Sequence, residues 1–468
     1  MSTAIGLRSE RGPILLAVMV ATGLVAIDST IIATAVPSIV DDVGGFSSFP
    51  WLFSVYLLAS AVTVPVYSKL ADTIGRKPVI LFGIAVFLLG SILCGVAWDM
   101  PSLIVFRAVQ GLGAGAILPI TITIVGDIYS LQERARVQGY VASVWAIASV
   151  VGPTLGGVFA EVDAWRGIFL VNIPLCLLAG WLILRNFAEK VERRRRRIDY
   201  AGATLLTLSM TLLILGVLEG GNAWAWESPI SIAIFAVGAL LLIAFLLVER
   251  RAAEPVLPLD IFRRRIVSTT TLLSLAIGAG LIGLTAFVPT YLEIGTGTTP
   301  LLAGLALATF TIGWPVAAAT SGRFYLRYGF RRVAIVGGLM VVAGSIVLAV
   351  LSPNPSILMV AVVCFFIGAG FGYSAVPSLV GAQSSVGWEE RGVVTGTNLF
   401  ARSIGQSLGA AILGAVANAV IARLGGDETD PSTIIQASTA VFIGVAIVSA
   451  VILLGAVLMP KDRVGQTT

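Results

Sequence analysis

The chain has 468 residues, 57% of them apolar and only 12% charged, with a formal net charge of +5 and no histidine. Soluble domains average about 45–50% apolar and about 25% charged residues, so this balance excludes an ordinary water-soluble globule. It assigns the basic excess to membrane topology rather than to a nucleic-acid footprint, and the missing histidines exclude imidazole relays and His-ligated metals.

Apolar runs of spanning length, about 20 residues for a hydrocarbon layer of roughly 30 Å, predict fourteen transmembrane helices. They lie near 12–38, 50–69, 78–97, 102–125, 137–160, 166–186, 200–219, 229–248, 267–291, 300–320, 332–351, 356–380, 394–422 and 435–459. Arg8 and Arg11 precede the first run, and Ala33-Thr34-Ala35 inside it mimics a cleavage site. The run is read as a retained helix because it carries Asp28 and a helix-rich chain follows. With both termini cytoplasmic, nearly every basic loop residue, from Lys69, Arg76 and Lys77 to Lys461, falls on one side. Only Arg166 and Arg423 fall on the other, as the positive-inside rule requires.

The first span contains Ile27-Asp28-Ser29-Thr30, continuing to Pro37. A charge at mid-membrane costs roughly 2.5–3.5 kcal/mol on insertion scales, so Asp28 reads as functional. Shielding from water favours a neutral acid, which suits proton uptake and release. A permanently paired structural acid is the alternative. Between the second and third spans, Ser68 to Pro78 holds Asp72, Gly75, Arg76 and Lys77: Gly75 permits a tight turn and the two cations anchor it at the cytoplasmic face. The fourth span opens with Arg107-Ala108-Val109-Gln110-Gly111-Leu112-Gly113-Ala114. At 1.5 Å per residue Arg107 lies about 7–9 Å, and Asp28 about 15 Å, below the outer surface, a gap that an arginine side chain bridges. Arg107 is therefore expected to tune Asp28, with a static salt bridge as the alternative. On the fifth span Ala148, Gly152 and Gly156 share one face beside Pro153 and Gly157, and such small residues admit a close helix neighbour.

Gln110 to Gly115 matches Ile367 to Gly372 at an offset of 257 residues, and the same offset carries Glu133-Arg134 onto Glu390-Arg391. Six helices need only about 190 residues here, so two helices are inserted between six-helix halves. The expected organisation is residues 1–190, an inserted pair within 191–262, and 263–468. Parallel halves of this kind are a transporter signature, with substrate bound at their interface near the midplane. The Arg193–Arg197 run in the insert reads as a topology determinant. Arg402 is a second buried cation, facing the cavity or pairing with a helix end. Thr30, Tyr56, Gln110, Trp145, Trp314, Tyr373 and Asn398 are candidate cavity-lining residues, with ordinary packing as the alternative for the aromatics. Cys94, Cys176 and Cys364 are far apart in apolar runs, and none of the four lysines follows a glycine. No disulfide, metal, cofactor or ATP site is expected.

Together these stretches resemble the fourteen-helix drug:proton antiporter branch of the major facilitator superfamily along nearly the whole chain. The resemblance implies an all-α integral membrane protein and a proton-coupling role for Asp28 and Arg107. It also implies a conformational latch at Asp72, Gly75, Arg76 and Lys77, and an antiporter motif at Gly152, Pro153, Gly156 and Gly157. Ser68 replaces the family's opening glycine of the latch, Ala148 replaces a glycine of the antiporter motif, and Leu326 stands where the second half would carry the latch acid. Trp165 to Pro174 also resembles that branch. The expected function is proton-driven export of amphipathic or hydrophobic compounds across the bacterial-type cytoplasmic membrane, by a monomer working without ATP or nucleic acid. A dedicated exporter of one endogenous lipid, siderophore or metabolite is the nearest rival. A non-transporting membrane sensor or assembly protein is the rival of another class, and an enzyme is disfavoured because no nucleophile–base or metal arrangement occurs.

Overall fold

Asp99, Ser130, Asp199, Ser228 and Asp430 each accept a hydrogen bond from the backbone amide three residues on, and each starts a helix. Such caps satisfy amides that have no partner inside the helix. Side-chain hydrogen bonding from Ser102 at Asp99, and from Ser432 and Thr433 at Asp430, joins these cap bonds in holding each carboxyl below the usual carboxylate range. These sites punctuate a computed structural model that describes residues 6–44, 48, 51–189, 199–220, 224–252, 255–352, 356–425 and 430–461. Lys190 and the Arg193–Arg197 run lie outside the described residues, as does the side chain of Pro37.

The helices are α1 Gly12–Val43, α2 Trp51–Ile74, α3 Arg76–Gly95, α4 Met100–Ile128, α5 Leu131–Glu161, α6 Gly167–Leu170, α7 Asn172–Asn186, α8 Tyr200–Glu219 and α9 Pro229–Glu249. They continue as α10 Arg265–Thr296, α11 Pro300–Tyr328, α12 Phe330–Leu351, α13 Ile357–Ser384, α14 Arg391–Arg423 and α15 Pro431–Leu458. Counting α6 and α7 as one crossing, fourteen are long and apolar enough to span a membrane among the described residues. The protein is an all-α, multi-pass membrane protein. Several helices outrun the apolar segments expected from the sequence. The first continues to Val43 rather than stopping near 38, and the fifth starts at Leu131 rather than 137. Backbone hydrogen bonding carries a helix past the hydrocarbon edge, and at α5 a reciprocal cap between Ser130 and Glu133 sets the start.

Two compact units are present: Met1–Leu259 with Val386–Phe400, and Asp260–Ser385 with Ala401–Thr468. In the first, α1 packs on α5 and α7, α4 packs on α2 and α3, and α8 lies against α9 and α2. In the second, α13 packs on α11 and α12, and α15 packs on α10 and α12.

The repeated glycine run has the same job in each unit. A Cβ at Gly111 would meet the Tyr56 carbonyl of α2 at 2.5 Å, and one at Gly368 would meet the Phe310 carbonyl of α11 at 2.2 Å. Gly113 abuts Gly83 and Phe87 of α3 as Gly370 abuts Gly337 of α12, and Gly115 and Gly372 return to α2 and α11. The glycine spacing thus lets one helix press its backbone against two neighbours at once. Large apolar side chains such as Phe82, Leu89, Val105 and Leu240 remain exposed, as lipid-facing surfaces do.

Candidate functional site

Asp28 is 1% exposed in the middle of α1. Arg107 Nη1 donates to its Oδ2 at 2.8 Å, and Gln110 Nε2 and Asn172 Nδ2 donate to its Oδ1 at 2.8 and 3.2 Å. Ser91 Oγ accepts from both Gln110 Nε2 (2.7 Å) and Asn172 Nδ2 (3.0 Å). Arg107 Nη1 also donates to Gln110 Oε1 at 2.6 Å, and its Nε donates to the Leu52 carbonyl at 3.2 Å. The Tyr56 ring lies 4.2 Å from the guanidinium carbon. Five helices, α1, α2, α3, α4 and α7, therefore supply one polar cluster inside an apolar bundle. Both carboxylate oxygens act as acceptors, the arrangement of an anion paired with a cation.

The local sequence explains how the cluster is built. At Gly90 an added Cβ would lie 2.5 Å from Gln110 Cα, so α3 touches α4 beside the glutamine. Gly152 and Gly156 of α5 press on Thr30, Ile31 and Thr34, immediately after Asp28, and Thr30 Oγ1 donates to the Ala148 carbonyl at 3.0 Å. Thr34 Oγ1 donates to the Pro153 carbonyl at 3.2 Å. Gly157 meets nothing within 4 Å. In the second unit Gly405 and Gly409 press α14 onto α10 in the corresponding way. Outside the apolar core, Asp42 accepts from Arg166 Nη1 at 2.6 Å and from Trp165 Nε1 at 3.1 Å, and the Arg166 bond holds its carboxyl below the ordinary range.

A second charged cluster surrounds Gly75, whose φ of +106° places it in the region that favours glycine; Gly329 occupies the same turn in the other half with φ +88°. Asp72 bonds Arg76 Nη2 at 2.6 Å and accepts from the amides of Gly392 (3.1 Å) and Val393 (2.8 Å) in the first turn of α14. Arg76 itself lies inside the protein. It is fully buried, with Asp127 Oδ2 at 3.0 Å, the Trp388 carbonyl at 2.8 Å and the Trp388 ring 3.8 Å from its guanidinium carbon. Two carboxylates and a ring face offset the desolvation that would otherwise drive the charge outward. Glu189 accepts from the amides of Arg76 and Lys77, capping α3, while Lys77 Nζ donates to the Leu184 carbonyl at 2.8 Å. Arg391 pairs with Asp127 at 3.1 Å. Ser68 is accommodated because Gly396 leaves room: a Cβ there would lie 2.3 Å from Ser68 Oγ.

The structure brings Asp28, Arg107, Gln110 and Tyr56 together, and Gln110 and Tyr56 are buried against the ion pair. Trp145 stands apart, 38% exposed. Trp314 stacks on Phe371, Tyr373 shares a 2.7 Å hydrogen bond with Thr320, and Asn398 donates to the Val394 carbonyl. Sequence reasoning did not select Ser91, Asn172, Asp127, Glu189 or Trp388. Asn172 stood inside the recognised run 165–174, and Arg391 inside the repeated Glu-Arg pair, so a signal existed for each. Ser91 carried none.

A profile of the Major Facilitator Superfamily matches residues 18–410. Multidrug resistance protein 3 of Bacillus subtilis (strain 168) is 35% identical over 393 residues, spanning 84% of this chain and 76% of its own length. Multidrug transporter protein MdtP of the same organism is 32% identical over 426 residues, spanning 91% and 79%. The crystal structure of the human organic anion transporter MFSD10 (TETRAN) superposes with a TM-score of 0.65 at 14% identity, covering 96% of this chain and 99% of that one. At that identity the superposition speaks to the fold.

Proposed function

Because this chain belongs to the Major Facilitator Superfamily, we propose that it is a proton-coupled exporter, exchanging protons for drugs or other small amphipathic compounds by alternating access. The observation that carries the reading is the buried Asp28–Arg107 pair, held at 2.8 Å by the Gln110, Asn172 and Ser91 network. It is an acid whose protonation has a direct structural consequence. A proton on Oδ2 removes the anion from Arg107, which cannot itself deprotonate. The guanidinium then leans on Gln110, the Leu52 carbonyl and the Tyr56 ring, and α1 and α4 lose their ionic link. Loss of the proton restores it. Such a two-state element lets proton binding bias a conformational equilibrium.

Export rather than uptake is supported by the α5 face of Gly152 and Gly156 directly behind Asp28, within the stretch that includes Pro153 and Gly157, and by the names of the two Bacillus relatives, a multidrug resistance protein and a multidrug transporter. Each proton entering draws on about 2.3 kcal/mol per 100 mV of membrane potential. In this reading Asp72, Gly75, Arg76 and Lys77 form a conformational latch. Residues 1–190 and 263–468 are the two six-helix halves, the pair within 191–262 is inserted, and both termini face the cytoplasm of a cell membrane. The monomer works without ATP.

The test is dye export by energised inverted vesicles with a simultaneous pH readout, wild type against Asp28→Asn. Wild type should couple export to proton movement, and the variant should insert and fold yet export nothing. Unchanged export by Asp28→Asn sinks the reading. A panel of unrelated dyes against one cell-derived compound separates a multidrug exporter from a dedicated one.

A further inference from the structure

Arg402 sits eleven residues into α14, about 16 Å along a helix of 33 residues. Arginine side chains reach the interface only from near helix ends, so this one does not escape to lipid headgroups. Arg107 and Arg76, the other deeply placed guanidiniums discussed above, are met by carboxylates. Arg402 is not: among the described residues its guanidinium makes no hydrogen bond or ion pair, and its recorded partner is the Trp314 ring, 5.9 Å from the guanidinium carbon. That is the outer limit of a cation–π contact. An arginine at this depth with unfilled donors is costly and defaults to a functional reading.

The surroundings are rigid. A Cβ at Gly278 would lie 2.0 Å from the Arg402 carbonyl, and one at Gly405 would lie 1.9 Å from the Leu275 carbonyl, so α10 and α14 are locked backbone to backbone at this level. Trp314 is stacked on Phe371 at 5.5 Å and edge-on to Phe310 at 6.4 Å. It remains partly exposed, as does Arg402. A fixed ring platform therefore stands beside a cation whose five donors lack an anionic acceptor, and the position corresponding to Arg402 in the first half is Trp145, which carries no charge.

We propose that Arg402 and Trp314 form a substrate-recognition site in the second unit for amphipathic organic anions, molecules with a carboxylate or sulfonate beside an aromatic body. The anion fills the guanidinium donors and the apolar body lies along the exposed part of Trp314. The inference rests on the transporter reading but not on proton coupling.

The experiment is equilibrium binding to full-length protein in nanodiscs, using naphthalene sulfonate and its neutral isostere naphthalene sulfonamide. Charge-assisted hydrogen bonds predict that wild type binds the sulfonate at least about tenfold more tightly than the sulfonamide. Arg402→Gln should abolish that preference, and Arg402→Lys should retain part of it. Equal binding of the two probes by wild type overturns the proposal even if Arg402→Gln does not fold, and so does a preference that survives Arg402→Gln. Asp28→Asn separates the two claims. Its failure to stop export would refute proton coupling while leaving the sulfonate preference standing, and loss of the preference alone would refute this site.

Discussion

Arg107 and Asp28 face each other at 2.8 Å, each 1% exposed, although 79 residues separate them. Removing one partner of a buried pair costs about 3–5 kcal/mol because the other charge is stranded. The two directions differ here, since a carboxyl group has a neutral form whereas a guanidinium keeps its charge.

Thermal unfolding of Asp28→Asn, Arg107→Gln and the double variant tests this asymmetry. Asp28→Asn should be the less stable single variant, though still folded. The double variant should lose less than the sum of the two, with a coupling of about 1–3 kcal/mol. Strict additivity would mean that the pair is not a unit.

The antiporter-type face on α5 makes a sharp internal comparison. A Cβ at Gly156 would meet the Ile31 carbonyl at 2.3 Å, while one at Gly157 would meet nothing within 4 Å. Gly156→Ala should cost about 1–3 kcal/mol by overpacking and depress export. Gly157→Ala should be neutral in both assays. Equal effects would show that the close α1–α5 approach does not matter.

Ser68 and Gly396 are complementary, and a swap should reveal it. Gly396→Ala places a Cβ 2.5 Å from Ser68 Cβ, so it should lower stability by about 1–3 kcal/mol. Adding Ser68→Gly should recover most of the loss in the unfolding midpoint. No recovery would assign the damage to another contact.

Asp72 accepts the Gly392 and Val393 amides. Asp72→Asn should therefore speed hydrogen exchange at those two amides by about tenfold, because charge-assisted bonds are the stronger ones. Exchange-detected mass spectrometry over the first turn of α14 measures it, and unchanged protection there would remove Asp72 from the latch.

The Asp42–Arg166 contact carries a pH dependence. Asp42's carboxyl is held below its ordinary range by the Arg166 hydrogen bond. Its contribution is thus fully present above the ordinary carboxylate range and is lost as pH falls through that range and below it. The melting-temperature gap between wild type and Asp42→Asn should close as pH is lowered. A gap that widens in acid would contradict the assignment.

Sequence alone determined the helix count, the repeated motifs at an offset of 257 residues and the prominence of Asp28 and Arg107. These follow from insertion energetics, which act residue by residue along the chain and leave their mark in composition. Tertiary structure decided what touches what. It joined Asn172 and Ser91 to Asp28, gathered Asp127, Glu189 and Trp388 around Arg76, set Gly156 rather than Gly157 against α1, and left Arg402 beside Trp314. The reason is rotation about the helix axis. In a soluble helix an apolar stripe marks the buried face, but these helices are apolar all round, so their inward faces emerge only when neighbouring backbones lock together at the glycines.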